Sequence, residues 1–247
     1  MSLRTRYVLF AISATGLTAL LLWGLAGLPD FGRFGGSYGV TLNDVAVAQR
    51  HATNVVAAIV WDYRALDTMG EELILFASVM ATSLLLREAR EREADRSEDA
   101  VHGETIRAVG LALVGILVVV GLYTVAHGIV TPGGGFQGGV VLASGLIVVY
   151  LAGSYRTYRR VGPTALVDFG EGVGVGGYVG IGLAGMAFGA AFLANFLPLG
   201  TKGTLASAGT ITALNVASGL AVAAAFVLLV MEFLQELMVM RLEEAEK

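Results

Sequence analysis

The chain alternates between long uncharged apolar runs and short polar connectors. A helix that crosses lipid needs about 20 mostly apolar residues. Runs at 7–28, 67–86, 106–126, 138–154, 172–197 and 211–231 fit that requirement. Barrel strands would instead alternate polar and apolar side chains over about ten residues. An open sheet edge cannot be left unpaired in hydrocarbon. The pattern therefore predicts an all-α integral membrane protein with about six transmembrane helices. The first run has 22 residues, longer than the roughly 7–15-residue apolar core of a signal peptide, so we read it as a retained span.

Two stretches depart from this pattern. Residues 41–64 carry apolar side chains at 45, 48, 52, 55, 56, 59 and 60, with Asp44, Arg50, His51 and Asn54 on the other face. That is helical spacing with one apolar stripe. It predicts an additional amphipathic or re-entrant helix, and two placements stay open: flat at the interface or dipping inward against other helices. Residues 87–107, REAREREADRSEDAVHGETIR, are dense in charge and read as a solvated linker or helix extension. They divide the chain into a two-span unit (1–95), a charged cytoplasmic linker (96–104) and a four-span unit (105–247).

Composition narrows the class further. Hydrophobic residues make up 55% and charged residues only 15%, against about 25% charged in soluble chains. The net charge of −4 leaves no basic footprint for nucleic acid. There is no cysteine, and the three histidines are scattered, so we expect no metal site and no cofactor. No nucleophile–histidine–acid set marks an enzyme. Basic residues set orientation. With six spans and a cytoplasmic N-terminus, twelve Arg and Lys fall inside, and Arg33, Arg50, Arg64 and Lys202 fall outside. Both termini are then cytoplasmic.

Candidate chemistry begins at WDYRALDTMGEE, residues 61–72. Leu73 to Leu86 supplies only 14 uncharged residues, too few for a span of about 20. The helix must take in part of 66–72, which carries acids near or into the hydrocarbon. Asp67 and Glu71 share a face at i, i+4, with Arg64 one turn back. An acid in lipid must pair, neutralise or face water. Asp62, Arg64, Asp67, Glu71 and Glu72 are therefore candidates for proton or ion handling. The competing reading is an ion-pair belt that sets helix depth.

HGIVTPGGGFQGG, residues 127–139, cannot continue a regular helix. Pro132, Gly133, Gly134, Gly135, Gly138 and Gly139 are expected to form a structural break. Such a break is tolerated at membrane depth only where protein or water satisfies it. His127, Thr131 and Gln137 place polar groups beside it, as path-lining or structural residues. In 168–189, the rows Gly172–Gly176–Gly180 and Gly185–Gly189 are small-xxx-small patterns that let membrane helices pack closely. Asp168 and Glu171 are expected to cap the start of that helix. Glu232 and Glu236 fall beyond the last apolar run and read as solvated or partner-facing.

Two of these motifs resemble known families. Asn54–Val60, followed by Asp62, Arg64, Asp67, Thr68, Gly70 and Glu71, resembles the C-terminal region of the large A subunit of Mrp-type cation/proton antiporters. It is equally similar to small membrane subunits of energy-converting hydrogenases. His127–Gly139 and Glu171–Tyr178 resemble the signature of the antiporter B subunit, the MnhB family. The resemblance covers about 45–90 and 105–240, an A-tail-like unit preceding a B-like one. It implies a subunit of a multisubunit Na+/H+ antiporter in the cell membrane, with other membrane subunits as partners and Na+ and H+ as the ions. It further implies that Asp62, Asp67 and Glu71 line an ion path, joined by His127, Thr131, Pro132, Phe136 and Gln137 as structural or path-lining positions. Two alternatives stay open: the membrane arm of a hydrogenase or related respiratory complex, and a scaffold without an ion path.

Overall fold

The computed structural model describes residues 3–28, 35–86, 103–153, 155–189 and 191–245. Among them it contains helices and no strand, as expected where backbone polar groups must be satisfied within each segment. In chain order the helices are α1 (Leu3–Ala26), α2 (Ser37–Arg50), α3 (Val55–Ala58), a π-helical turn (Ile59–Tyr63), α4 (Ala65–Leu85), α5 (Glu104–His127), α6 (Gly135–Ala152), α7 (Tyr155–Val161), α8 (Thr164–Gly189) and α9 (Thr210–Ala245). Six of them, α1, α4, α5, α6, α8 and α9, contain stretches long and apolar enough to cross a membrane.

The chain forms two compact units, Met1–Val40 and Thr41–Lys247. The first contains α1, whose apolar side chains are exposed throughout Tyr7–Ala26. The second begins within α2, at Thr41, and so includes residues 41–86, which the sequence groups with α1. Most of the charged linker at 96–104 lies outside the described residues.

In the second unit α9 is the most buried of the six candidate spans, with 61% of its best apolar window enclosed. Two clusters of side chains build the core. At one end Ala46, Ala57, Ala58, Trp61 and Ala65 pack with Ile129, Tyr178, Leu193, Ile211 and Leu214. At the other, Val79 and Val167 pack with Tyr158, Ala224, Ala225, Val227 and Leu228. The amphipathic segment 41–64 packs onto this chain's own helices, but not by the stripe its spacing suggests: Ala46, Ala52, Ala57, Ala58 and Trp61 are buried, whereas Ala48 and Val56 are exposed. Tyr158 of the short helix α7 closes the second cluster and donates to the Val227 carbonyl at 3.0 Å. Burial pushes its phenol above the ordinary tyrosine range.

Three expectations need correction. The fifth span covers Thr164–Gly189, not 172–197. Asp168 and Glu171 are therefore inside α8, and Glu171 is 3% exposed rather than a cap. Helix α8 stops at Gly189 because the chain folds back on it: Leu193 N–H donates to the Gly182 carbonyl at 3.1 Å. Gly135, Gly138 and Gly139 belong to α6 rather than to the break. They are buried where the helix meets α5 and α9, and a Cβ on Gly135 would strike the Asn215 carbonyl. Glu232 is not solvated: it is 2% exposed and accepts from Ser83 Oγ at 3.1 Å. The side chain of Glu236 lies outside the described residues.

Candidate functional site

The break in the glycine-rich stretch spans the turn between α5 and α6. Its backbone groups find partners on two asparagines from distant elements. Asn215, near the start of α9, donates to the Val125 carbonyl at 2.7 Å and accepts from the Gly135 N–H at 2.7 Å. It thereby joins the end of α5 to the first residue of α6. Asn54 donates to the Gly128 carbonyl at 2.6 Å and to the Thr131 carbonyl at 3.1 Å, and its backbone N–H reaches the Ile129 carbonyl at 3.1 Å. Thr53 Oγ1 adds a bond to the Val130 carbonyl at 2.7 Å. Helix ends in an apolar interior require such partners. Gly134 takes φ of +151° there, a region that side chains rarely adopt.

The acidic motif sits opposite. Asn54 also caps α3, accepting from the Val56 N–H at 3.2 Å. The following turn is widened: Arg64 N–H reaches back five residues to the Ile59 carbonyl at 2.8 Å, and Thr68 Oγ1 donates to the Val60 carbonyl at 2.6 Å. Single π-turns of this kind frequently mark functional sites. The widened turn buries Trp61 against Tyr178, with ring centroids 5.9 Å apart, while the Tyr178 hydroxyl donates to the Ala65 carbonyl at 2.9 Å.

The acids then separate by environment. Asp62 lies 2.8 Å from Arg50 Nε and accepts from Asn195 Nδ2 at 3.3 Å. Arg64 pairs with Asp67 at 2.6 Å, with both side chains more than half exposed. Glu71 is exposed, whereas its neighbour Glu72 is 2% exposed and accepts from Ser218 Oγ of α9.

Two clefts collect these residues. The first, about 580 Å³, lies between the acidic motif and the glycine break. Thr68 and Glu71 line one wall, and Gly133, Gly134, Phe136 and Gln137 line the other. The second, about 630 Å³, contains Arg50, Asp62, Arg64, Asp67 and Asn195. Glu72 stands inside the bundle. His127 and Thr131 line neither cleft. The His127 ring stacks on Tyr123 with centroids 4.0 Å apart. Its carbonyl accepts from the N–H groups of Val130 and Thr131, each at 2.8 Å. Pro132 is exposed at the turn.

The glycine rows on α8 also separate. A Cβ on Gly172, Gly176 or Gly180 would meet nothing within 4 Å, so this row does not pack against the chain's own helices. Gly174 is the glycine pressed against Ala221 of α9. Gly185 and Gly189 do pack closely, against the returning segment at Ala194.

Sequence reasoning assigned no role in the break to Asn54 or Asn215. It also missed the seats of Arg50, Ser218, Glu171 and Glu232. A usable signal existed for several of them: polar side chains within apolar stretches are costly and need a partner. Among the described residues no group of three or more His, Cys, Asp or Glu side chains is placed to hold a metal. Carboxylate, amide and hydroxyl oxygens line the first cleft, and these are donors suited to hard cations or to protons.

A multi-helix membrane fold whose broken helix faces an acidic helix defines the class: a polytopic membrane protein with an oxygen-lined cleft. The chain matches the family described as "Domain related to MnhB subunit of Na+/H+ antiporter" over residues 105–228, and it belongs to that family. It is 29% identical over 204 residues to an uncharacterized protein of Methanocaldococcus jannaschii, covering 74% of this chain and 78% of that one. Its fold is similar to a chain of the membrane-bound sulfane sulfur reductase, an archaeal respiratory membrane complex, with a TM-score of 0.71 and 27% identity over 93% of this chain and 98% of that one. It is also similar to a chain of the Mrp complex from a Dietzia species, with a TM-score of 0.66 and 26% identity over 94% of this chain and 26% of that one.

Proposed function

We propose that this chain is a membrane subunit of an Mrp-like cation/proton antiporter complex, and that the cleft holding Glu71 is a stretch of its ion path. The observation that carries this reading is the meeting of two motifs some sixty residues apart in one cleft, Thr68 and Glu71 on one wall and Gly133, Gly134 and Gln137 on the other. Glu71 supplies an exchangeable charge. Gln137, Thr68 and the bent backbone supply neutral oxygens that can replace part of an ion's hydration shell. Asp62, Arg64 and Asp67, in the neighbouring cleft, balance the field at its mouth. We assign Na+ and H+ as the ions, other antiporter membrane subunits as partners, and the cell membrane as the location, with both termini cytoplasmic. The role is that of a transporter subunit rather than an enzyme.

The test is exchange by the assembled complex in everted membrane vesicles carrying Glu71→Gln or Gln137→Ala. The reading expects Na+-driven proton movement to fall about tenfold for Glu71→Gln, equivalent to about 1.4 kcal/mol in the limiting step, while native gels show intact assembly. Wild-type exchange in both variants sinks it, and loss of assembly in both returns the site to a scaffold role. A second reading, a respiratory membrane arm, draws support from the likeness to the sulfane sulfur reductase chain along 98% of its length. Co-purification with subunits that hold redox centres would favour it.

A further inference from the structure

The short helix α7 (Tyr155–Val161) lies between the last turn of α6, which ends at Ala152, and the first turn of α8, which begins at Thr164. Both flanking helices are candidate spans, so α7 stands where hydrocarbon gives way to headgroups. Tyr158 fixes its rotation. The side chain is fully buried, meets Tyr150 edge-on with centroids 6.3 Å apart, and donates its hydroxyl to the Val227 carbonyl. Arg156, Arg159 and Arg160 are spaced i, i+3 and i+4, so they share one face of the helix. At about 100° per residue that face is turned roughly 150° from Tyr158. Burial of the tyrosine therefore directs the arginines outward, and all three are exposed.

Three cations on one helical turn repel each other, and an anion on that face relieves the repulsion. Residues 105–167 contain no aspartate or glutamate. Asp168 and Glu232 border the core cluster that Tyr158 enters, next to Val167 and Met231, and the three arginines outnumber them. Arg156 and Arg159 also interact within the chain. A guanidinium carries five N–H donors, so such a contact orients the group and leaves donors over. Beside the charged face the surface turns apolar. Leu151 in the last turn of α6, Val161, and Leu166 and Phe169 at the start of α8 are each more than half exposed. Cations next to exposed apolar side chains, at the level where spans end, suit an amphiphile with an anionic head. The guanidinium fork matches phosphate oxygens, and basic residues at the end of a span attract anionic headgroups.

We infer that α7 seats the phosphate headgroup of an anionic phospholipid on its arginine face, with the acyl chains lying against Leu151, Leu166 and Phe169. The lipid straps the connection between α6 and α8 from outside, as Tyr158 holds it from inside. This site is independent of the ion path proposed above.

The experiment uses the purified assembled complex. Native mass spectrometry after incubation with equal amounts of phosphatidylglycerol and phosphatidylcholine counts the lipids that each preparation retains. The wild type is expected to keep phosphatidylglycerol in preference, and Arg159→Gln/Arg160→Gln to lose that preference by about tenfold or more. Arg4→Gln/Arg6→Gln removes the same charge from the start of α1 and should keep the preference. An unchanged preference in Arg159→Gln/Arg160→Gln overturns the site. An equal loss in Arg4→Gln/Arg6→Gln also overturns it, because the attraction is then diffuse. Loss of a partner subunit from Arg159→Gln/Arg160→Gln gives the surface to that partner and overturns the lipid site as well. If that variant yields no complex, a phosphatidylglycerol with a photoreactive acyl chain decides on the wild type. Cross-links within 151–169 support the site, and their absence there overturns it.

Discussion

Asn215 does what no backbone group at the break can do alone, because it satisfies an acceptor on α5 and a donor on α6 with one side chain. It is 1% exposed, so water cannot easily take its place. Leaving a buried polar group unsatisfied costs about 1–3 kcal/mol. Asn54 also makes two bonds to the break, but it is only partly buried, and solvent can compensate. We therefore predict that Asn215→Ala lowers the melting temperature of the purified complex distinctly more than Asn54→Ala. Equal shifts would mean that the break is held by something other than these bonds. The acidic motif teaches the same lesson about neighbouring residues. Glu71 and Glu72 are adjacent in sequence, yet one faces a cleft and the other is enclosed by the bundle. Spacing alone pairs Arg64 with Asp67, and the structure has that pair. Arg50 as the partner of Asp62 required the fold of α2 back over the π-turn.

Among the elements, α8 shows most clearly what glycine patterns leave open. It carries several small-xxx-small rows, and each is an equally good packing face by spacing. Gly170 and Gly174 meet α9, most tightly at Ala221, while Gly172, Gly176 and Gly180 point away from the chain's own helices. A leucine at Gly174 must drive α8 and α9 apart, at a cost of about 1–3 kcal/mol or more for overpacking. A leucine at Gly176 meets open space. Thermal melts of the two variants should therefore differ sharply, with Gly174→Leu destabilised and Gly176→Leu close to wild type. The reverse order would mean that the helix is rotated from the orientation described. A parallel contrast exists on α6: Gly135→Ala should destabilise the complex, because its Cβ has no room against the Asn215 carbonyl and Gly219.

At the scale of the whole molecule, the apolar runs and the arginine bias together prescribe a topology. The chain has no cysteine, so single cysteines report sidedness cleanly. The proposed orientation, with both termini cytoplasmic, predicts that Ser97→Cys reacts with an impermeant maleimide only from the cytoplasmic face. Thr204→Cys, in the exposed loop before α9, should react only from the opposite face. Labelling of both from one side would refute the six-span arrangement. Membership of the MnhB-related family and the likeness to chains of two multisubunit membrane complexes suit a chain that leaves many large apolar side chains exposed. Lipid covers some of that surface. In the reading proposed here, partner subunits cover the rest.

The amino-acid order alone determined the class, the number of candidate spans and that a break falls near Pro132, though not that Gly135, Gly138 and Gly139 would lie inside the following helix. These follow from local physics: hydrocarbon forces backbone groups to bond within a segment, run length sets the number of crossings, and proline followed by glycine disfavours continuing a helix. Which acids are enclosed, which glycine row packs and which asparagines mend the break were decided only when the helices met. A helix apolar all round carries no polar face to mark its inner side. The burial of Glu72 beside Ser218, or of Glu232 beside Ser83, is therefore set by a neighbouring helix that lies far away in the chain.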